Sequence, residues 1–447
     1  MTTNPLTVLA AHAASWRDRP WPAGLEHHAR RALLDWFAAM LPGTRHAPAT
    51  LLAAALAAER GAGRAICYVD GEAGGTRHAA LLNGVASHVV EFDDIHRDSG
   101  MHPGGPTIAA ALAVAQSRGA DMDAALRAIT AGFEVGCRIA LAVQPSHYRM
   151  WHVTGTVGTM GAAAAAALLL GCDATRIGHA IALAATMSGG LQQAFRGEGM
   201  SKPMHPGHAA EAGVLAAHAA AAGVTGAPDV LHGPAGFAAA TSDSAGRWDR
   251  ALDGLDARFV IAEITIKNHG CCGHIFPALD AVLALRARHP FAAEDVARIH
   301  VAGYRATAEI CDRPTAATEQ EARFSVQYCI AALLRLGAVR LDAFTPARLA
   351  DPAIRDVMAK VSVALAPDLA DAYPRRRAAR IRVDLTDGRV LEHEQPHRKG
   401  DPEDPLTDAE LDAKFDELAI PVIGADAAAA LRRLVREGHA LPGSLGA

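Results

Sequence analysis

LLNGVASHVVEFDDIHRDSGMHPGGPTIAAALA, residues Leu81 to Ala113, sets two apolar, helix-compatible runs on either side of a burst of acid and imidazole. Glu91, Asp93, Asp94, His96 and then His102 stand between the runs; Pro103, Gly104, Gly105 and Pro106 follow, and a new run opens near Thr107. Carboxylates and imidazoles crowded between apolar runs are costly to bury without partners, so they need counter-groups or a ligand. Loops that hold such groups on a rigid helical scaffold are where binding and catalysis sit. The stretch reads as helix, functional loop, helix, and as half of an active site.

Helical spacing continues on both sides. Leu25 to Met40 places Leu25, Ala29, Ala32, Leu33, Trp36 and Phe37 on one face, and Ala49 to Arg60 is a further candidate. Gly119 to Gln144 repeats Leu126, Ile129, Phe133 and Cys137 behind Asp121 as an N-cap, with Glu134 and Arg138 one turn apart on its flank. Thr154 to Leu170 and Arg176 to Met187 are apolar enough to be buried nearly all round, and His208 to Ala222 continues the pattern. No convincing alternating strand occurs before about residue 265. Beyond it, Arg298 to Ala302 and Lys360 to Leu365 alternate like half-buried strands, and Ile381 to Leu385 and Val390 to Glu394 flank a hairpin signal at Thr386-Asp-Gly-Arg389. Glu321 to Leu336 and Ala347 to Met358 read as helices between them. The tail is helical again, from Thr407-Asp-Ala-Glu, spaced like a capping box, to Phe415, then Ala425 to Glu437. The expected fold is mainly α: an all-helical domain of residues 1–265 plus 400–447, and a smaller α+β domain of residues 266–399.

Composition agrees. A chain of 447 residues is too long for one core. Its Ala-rich runs favour closely packed helices, because Ala loses little entropy there. A net charge of -5 excludes the basic face that nucleic acid needs, and no apolar run reaches a bilayer span uninterrupted. The first residues lack the basic and apolar segments of a secretory signal. Seven cysteines without a C-x-x-C pair suit a reducing, cytoplasmic setting.

Four clusters carry chemistry: the acid–imidazole loop; Trp151-His-Val-Thr-Gly-Thr156; Arg196 to His208, a Gly/Pro-broken loop with Lys202, His205 and His208; and Lys267-Asn-His-Gly-Cys-Cys-Gly-His274. Each has a plainer account. His152 at a helix start is as readily a cap, Lys202 a solvated loop lysine, and the acids a solvated turn. Asp94-x-His96 with His102 makes a facial metal set conceivable, but Cys271-Cys272 lacks the spacer that lets two thiolates share an ion, and no metal is expected. No G-x-S-x-G, G-x-G-x-x-G or P-loop is present, so no cofactor is expected either. Cofactor-free acid–base chemistry on an anion remains, with Lys202, Lys267 and Arg196 able to hold carboxylates.

These residues resemble the MmgE/PrpD family, whose members include 2-methylcitrate dehydratase, cis-aconitate decarboxylase and iminodisuccinate epimerase. The similar segments are H-x-x-E-F-D-D-x-H…H-P (His88 to Pro103), W-H-x-T-G-T (Trp151 to Thr156), K-P-M-H-P-G-H-A-A (Lys202 to Ala210), N-H-G-C-C-G-H (Asn268 to His274), E-A-R-F-S-V-Q-Y (Glu321 to Tyr328) and P-L-T-D-A-E-L-D-A-K-F (Pro405 to Phe415). The resemblance implies a large helical domain with a small α+β lid domain, a pocket between them, and a homodimer. The decarboxylase branch uses an acid and a Thr in its F-D-D motif, the His of H-P, the His of W-H and the Lys before P-x-H. Those positions here are Glu91, Ile95, His102, His152 and Lys202, and a branch tyrosine is replaced by Ile310. His274 matches the lid histidine loosely. The departures count against decarboxylation of cis-aconitate and leave open dehydration or proton transfer on a related acid.

The function expected is a cytoplasmic, metal-free hydro-lyase acting on a hydroxylated di- or tricarboxylate, with no nucleic-acid or membrane partner. Isomerase, epimerase or decarboxylase action is the alternative among enzymes, and a non-catalytic carboxylate-binding or scaffold protein the alternative outside them. The catalytic candidates are His102, Lys202, His152, Glu91 and Asp94; His96, His205, Lys267 and His274 are the substrate-binding candidates.

Overall fold

A computed structural model describes residues 4–195, 199–373 and 375–445. It forms two compact units, Met1–Ile266 with Thr407–Ala447, and Lys267–Leu406. The first unit runs through α1 (Pro5–Ser15), α2 (Leu25–Gly43), a short hairpin of β1 (Ala65–Cys67) and β2 (Glu72–Gly74), α3 (Thr76–Val89), α4 (Gly104–Arg118), α5 (Met122–Val143), α6 (Val153–Leu169), α7 (Ala174–Met187) and α8 (Ser201–Ala221). The hairpin departs from an all-helical reading; three-residue strands are too short to show alternation.

α6 lies at the centre of this unit. Every residue from Val153 to Leu168 is buried, against α4, α5, α7 and α8. Small residues permit that crowding: a Cβ on Gly132 of α5 would lie 2.7 Å from the carbonyl oxygen of Gly161 in α6. α7 is less enclosed, with Arg176 and Thr186 exposed. Asp121 caps α5 by accepting the Ala124 N–H at 2.9 Å. Glu134 and Arg138 pair at 2.8 Å, but in the interior rather than on a flank. Their remaining valences explain how: Arg138 also donates to the carbonyls of Ala251, Asp253 and Arg258, and Glu134 accepts the Val260 N–H. A buried ion pair survives only when such extra hydrogen bonds are made.

The second unit holds α9 (Phe276–Arg288), β3 (Val296–Gly303), α10 (Val326–Leu336), β4 (Val361–Leu365), β5 (Ala379–Leu385) and β6 (Val390–Gln395). The sheet order is β4-β3-β5-β6, with β3 and β4 parallel and the other pairs antiparallel. Ile299, Val301, Ile381 and Val383 share one core with residues of α9 and α10. The β5–β6 turn needs Gly388, at φ 88°, where an L side chain is strained. Two helices read as continuous are divided. Ser325 accepts the Tyr328 N–H and starts α10 anew after the turn Glu319–Arg323, and Asp351 caps Pro352–Met358 after Pro346–Leu349. Residues 398–401 are tied into this unit by the Arg398–Asp401 pair at 2.6 Å and by the Lys399 N–H on Asp280.

The chain ends in α11 (Asp408–Ile423) and α12 (Ala425–Glu437). Thr407 and Glu410 form the capping box that opens α11. Lys414 of α11 meets Asp35 of α2 at 2.5 Å with both side chains fully buried, and donates to the Phe92 carbonyl at 3.1 Å. This contact fastens the tail to the first unit and to the back of the acid–imidazole loop. No described helix is long and apolar enough to cross a membrane.

Candidate active site

α3 ends at Val89, and the loop after it turns sharply because Glu91 adopts φ 58°, the left-handed region that β-carbon-bearing residues avoid. That turn sets Asp93 between two imidazoles. Its Oδ2 lies 2.6 Å from His88 Nδ1 and 3.1 Å from His102 Nδ1. The His88 and His102 rings are 4.9 Å apart, edge to face. Asp94 accepts the Gly104 N–H at 3.0 Å, fixing the start of α4, and the His102 N–H donates to Thr154 Oγ1 of α6 at 3.0 Å.

His152 stands at the N-cap of α6, its N–H bound to the Gly190 carbonyl. Its ring stacks on His88 at 5.7 Å, and its Nδ1 lies 2.9 Å from His205 Nδ1, so one of those nitrogens donates and the other accepts. Lys202, His205 and His208 were read in a Gly/Pro-broken loop, but the helix already starts at Ser201. Pro203 falls in the first turn, where its missing N–H has no helical partner to lose. Three glycines seat this turn. A Cβ on Gly84 would lie 2.8 Å from Gly207 Cα, one on Gly105 3.0 Å from Pro206 Cβ, and one on Gly155 2.9 Å from His205 Cβ. Close approach of α3, α4 and α6 thus carries α8 to the imidazoles, and Lys202 there pairs with Glu91 while lying 4.9 Å from the Phe195 ring centroid.

Burial drives the His152 pKa well below its ordinary value, reinforced by the charges of His88, Lys202, His102 and His205. Burial first and His88, His208 and Lys202 next bring His205 down to about 4. Both rings are therefore neutral near pH 7, as proton acceptance requires. His102, Lys202, His152, Glu91 and His205 thus share one cluster in the first unit, together with His88 and Asp93, which were not singled out as site residues. A histidine inside an apolar helix resembles a satisfied core group; its spacing of five residues before Asp93 was the available signal.

The other candidates lie elsewhere in their units. His96 is buried, its Nε2 3.5 Å from Glu263, with no ring contact to the cluster among the described residues. Ile95 is bridged to Thr265. Lys267 and His274 belong to the second unit. There His274 Nδ1 meets the Tyr304 hydroxyl at 2.8 Å, Tyr304 stacks on Tyr373 at 4.8 Å, and burial followed by the charges of Arg377 and Arg398 lowers His274 to about 3. Lys267 is buried and Ile310 is exposed. Arg196 lies outside the described residues.

Among the described residues, two groups of side chains are close enough to share an ion: His88, Asp93 and His102, and Cys67, Asp70 and His78. In the first, the 2.6 Å between His88 and Asp93 is a hydrogen-bond length. Two ligands of one tetrahedral ion would sit about 3.3 Å apart, given bonds near 2 Å. In the second, Asp70 is already held by Arg60 at 2.6 Å.

Profiles of the MmgE/PrpD N-terminal domain and the MmgE/PrpD C-terminal domain match residues 7–247 and 269–438. A cis-aconitate decarboxylase-like protein, oryM of Aspergillus oryzae, is 30% identical over 437 residues, spanning 91% of this chain and 88% of that protein. The cis-aconitate decarboxylases of Homo sapiens and Mus musculus are 28% and 26% identical, each over 80% of this chain and 76% and 75% of their own lengths. With both profiles matched in order along a mainly helical chain with a smaller α+β unit, the protein belongs to the MmgE/PrpD family.

Proposed function

We propose that this protein is a cofactor-free hydro-lyase that removes water from a hydroxylated di- or tricarboxylate. The observation that carries the reading is the cluster in which a neutral imidazole pair, His152 with His205, sits beside His102 backed by the Asp93 carboxylate. Elimination of water needs a base for the proton next to a carboxylate and an acid for the departing hydroxyl. His152 is suited to the first task because burial keeps it uncharged. His102 is suited to the second, since Asp93 can compensate positive charge on its ring. The C–H electrons form the new C=C bond, and the hydroxyl leaves with the proton of His102 as water. Lys202 supplies a cation for a substrate carboxylate, with Glu91 holding the ammonium until substrate arrives.

Decarboxylation is the second reading, favoured by the activity for which the relatives are named. Ile95 and Ile310, where that branch carries Thr and Tyr, weigh against it. Incubation with a panel of hydroxylated di- and tricarboxylates and with cis-aconitate separates the two. Appearance of C=C absorbance without CO2 supports water loss, and release of CO2 from cis-aconitate alone overturns it. Deuterium wash-in without loss of water would indicate epimerisation, and tight binding without turnover a scaffold. The rate is expected to withstand a chelator; loss with EDTA and return with a divalent ion would contradict the cofactor-free assignment.

A further inference from the structure

We propose that Arg377 of the second unit binds a carboxylate, at a site it shares with His274, Tyr304 and Tyr373. The sheet register brings these groups together. Gly303, the last residue of β3, pairs with Leu365 of β4 and with Ala379, the first residue of β5; Ala379 pairs in turn with Gln395 of β6. Tyr304 therefore leaves β3 at the end of the sheet where Arg377 enters β5, and Arg398 follows β6 at that same end. Tyr373 closes the short helix Pro367–Ala372 that follows β4. The Thr307 hydroxyl donates to the His274 carbonyl at 3.1 Å and so ties the segment before α9 to the same place.

Arg377 is the group that these surroundings leave without a counter-charge. Its Cζ lies 5.5 Å from the Tyr373 ring centroid; Tyr373 stacks on Tyr304, whose hydroxyl meets His274 Nδ1 at 2.8 Å. Its Nε is cut off from solvent and has no hydrogen-bond partner, and its guanidinium makes no ion pair among the described residues. A solvated arginine would keep that N–H in water, and a buried donor without an acceptor is costly. The neighbouring cation, Arg398, is by contrast neutralised by Asp401 through bonds of 2.9 and 2.6 Å. Burial and then the Arg398 charge pull the Arg377 pKa below its ordinary value, yet a guanidinium stays charged at pH 7. Burial keeps the Tyr304 hydroxyl and the His274 ring neutral. Whichever of those two donates in their shared bond, the pair retains one further hydrogen to give, on the hydroxyl or on Nε2. One uncompensated positive charge beside such a donor suits an oxyanion. That the oxyanion is a carboxylate rests on the reading of the substrate as a polycarboxylic acid.

The test is calorimetric titration of the full chain with tricarballylate, a tricarboxylate that has no hydroxyl to lose. Arg377→Met should weaken its binding about 10- to 160-fold, and Tyr304→Phe about 2- to 13-fold. Arg376→Met, adjacent in the chain but paired with Glu394 at 2.6 Å, should bind like the native protein. Without ligand, Arg377→Met should unfold at a Tm equal to or above the native one, because the change removes a part-buried cation that has no partner. No binding to the native protein, an unchanged Kd in Arg377→Met, or a Tm several degrees lower in that variant overturns the proposal. Inorganic phosphate bound in place of tricarballylate, and lost in Arg377→Met, overturns the assignment to a carboxylate. If tricarballylate binding depends on Arg377 but no acid of the panel above is turned over, the water-loss reading fails and this site stands.

Discussion

Glu91 shows how much a single residue is asked to do here. Its φ of 58° costs about 1–3 kcal/mol, and strain of that kind persists where the surroundings over-determine a conformation. The pairing of its carboxylate with Lys202 is one such determinant. Lys202→Met removes the cation while keeping most of the apolar stem. On the proposed function it should weaken substrate binding by about 1.5–3 kcal/mol, read as a rise in KM of roughly 10- to 160-fold. An unchanged KM would take Lys202 out of the binding site. Glu91, His102, His152 and Lys202 were legible from residue type and crowding. Asp93 was read within the acid–imidazole burst but not placed among the catalytic candidates, because nothing local separates one acid of three, and His88 was not a candidate, because a buried histidine in an apolar run carries no local mark of function.

At the scale of elements, the site is made by helices that cross closely enough to touch. Gly155 in α6 faces His205 of α8 on one side and the Gly189 carbonyl oxygen, 2.5 Å from where a Cβ would stand, on the other. Gly155→Ala should therefore displace the first turn of α8, with an overpacking cost of about 1–3 kcal/mol. Loss of the His152–His205 contact should appear as a changed imidazole NMR signature; a native signature with native stability would contradict it. Periodicity located α5 and α6 to within a few residues, and the capping box of α11 was legible in Thr407 and Glu410. The start of α8 was misplaced because two prolines suggest a loop, although one occupies the first turn and the other, Pro206, packs in the interior.

Over the whole molecule, buried polar groups set the conditions under which the chain stays folded. Lys414→Met takes the ammonium from a fully buried Asp35 carboxylate and should cost about 3–5 kcal/mol in urea unfolding, much of it recovered in Lys414→Met with Asp35→Leu. A cost below 1 kcal/mol would mean the pair is dispensable. Acid should destabilise the protein through its buried histidines. His12, His147 and His205 are lowered to about 4 and His274 to about 3, in each case first by burial. The unfolded chain takes up protons near pH 6.5 while the folded one does not, so the stability they contribute is present above that value and is lost as pH falls towards 4. Thermal unfolding between pH 7 and 4.5 measures it, and a Tm independent of pH there would be contrary. The sequence alone determined the mainly helical class and the types of residue available for chemistry, because hydrophobic period and residue type are local properties. Only the tertiary structure decided that Asp93 lies between His88 and His102, and that His152 meets His205, since those contacts join separate helices and depend on glycines whose value appears only when two backbones meet.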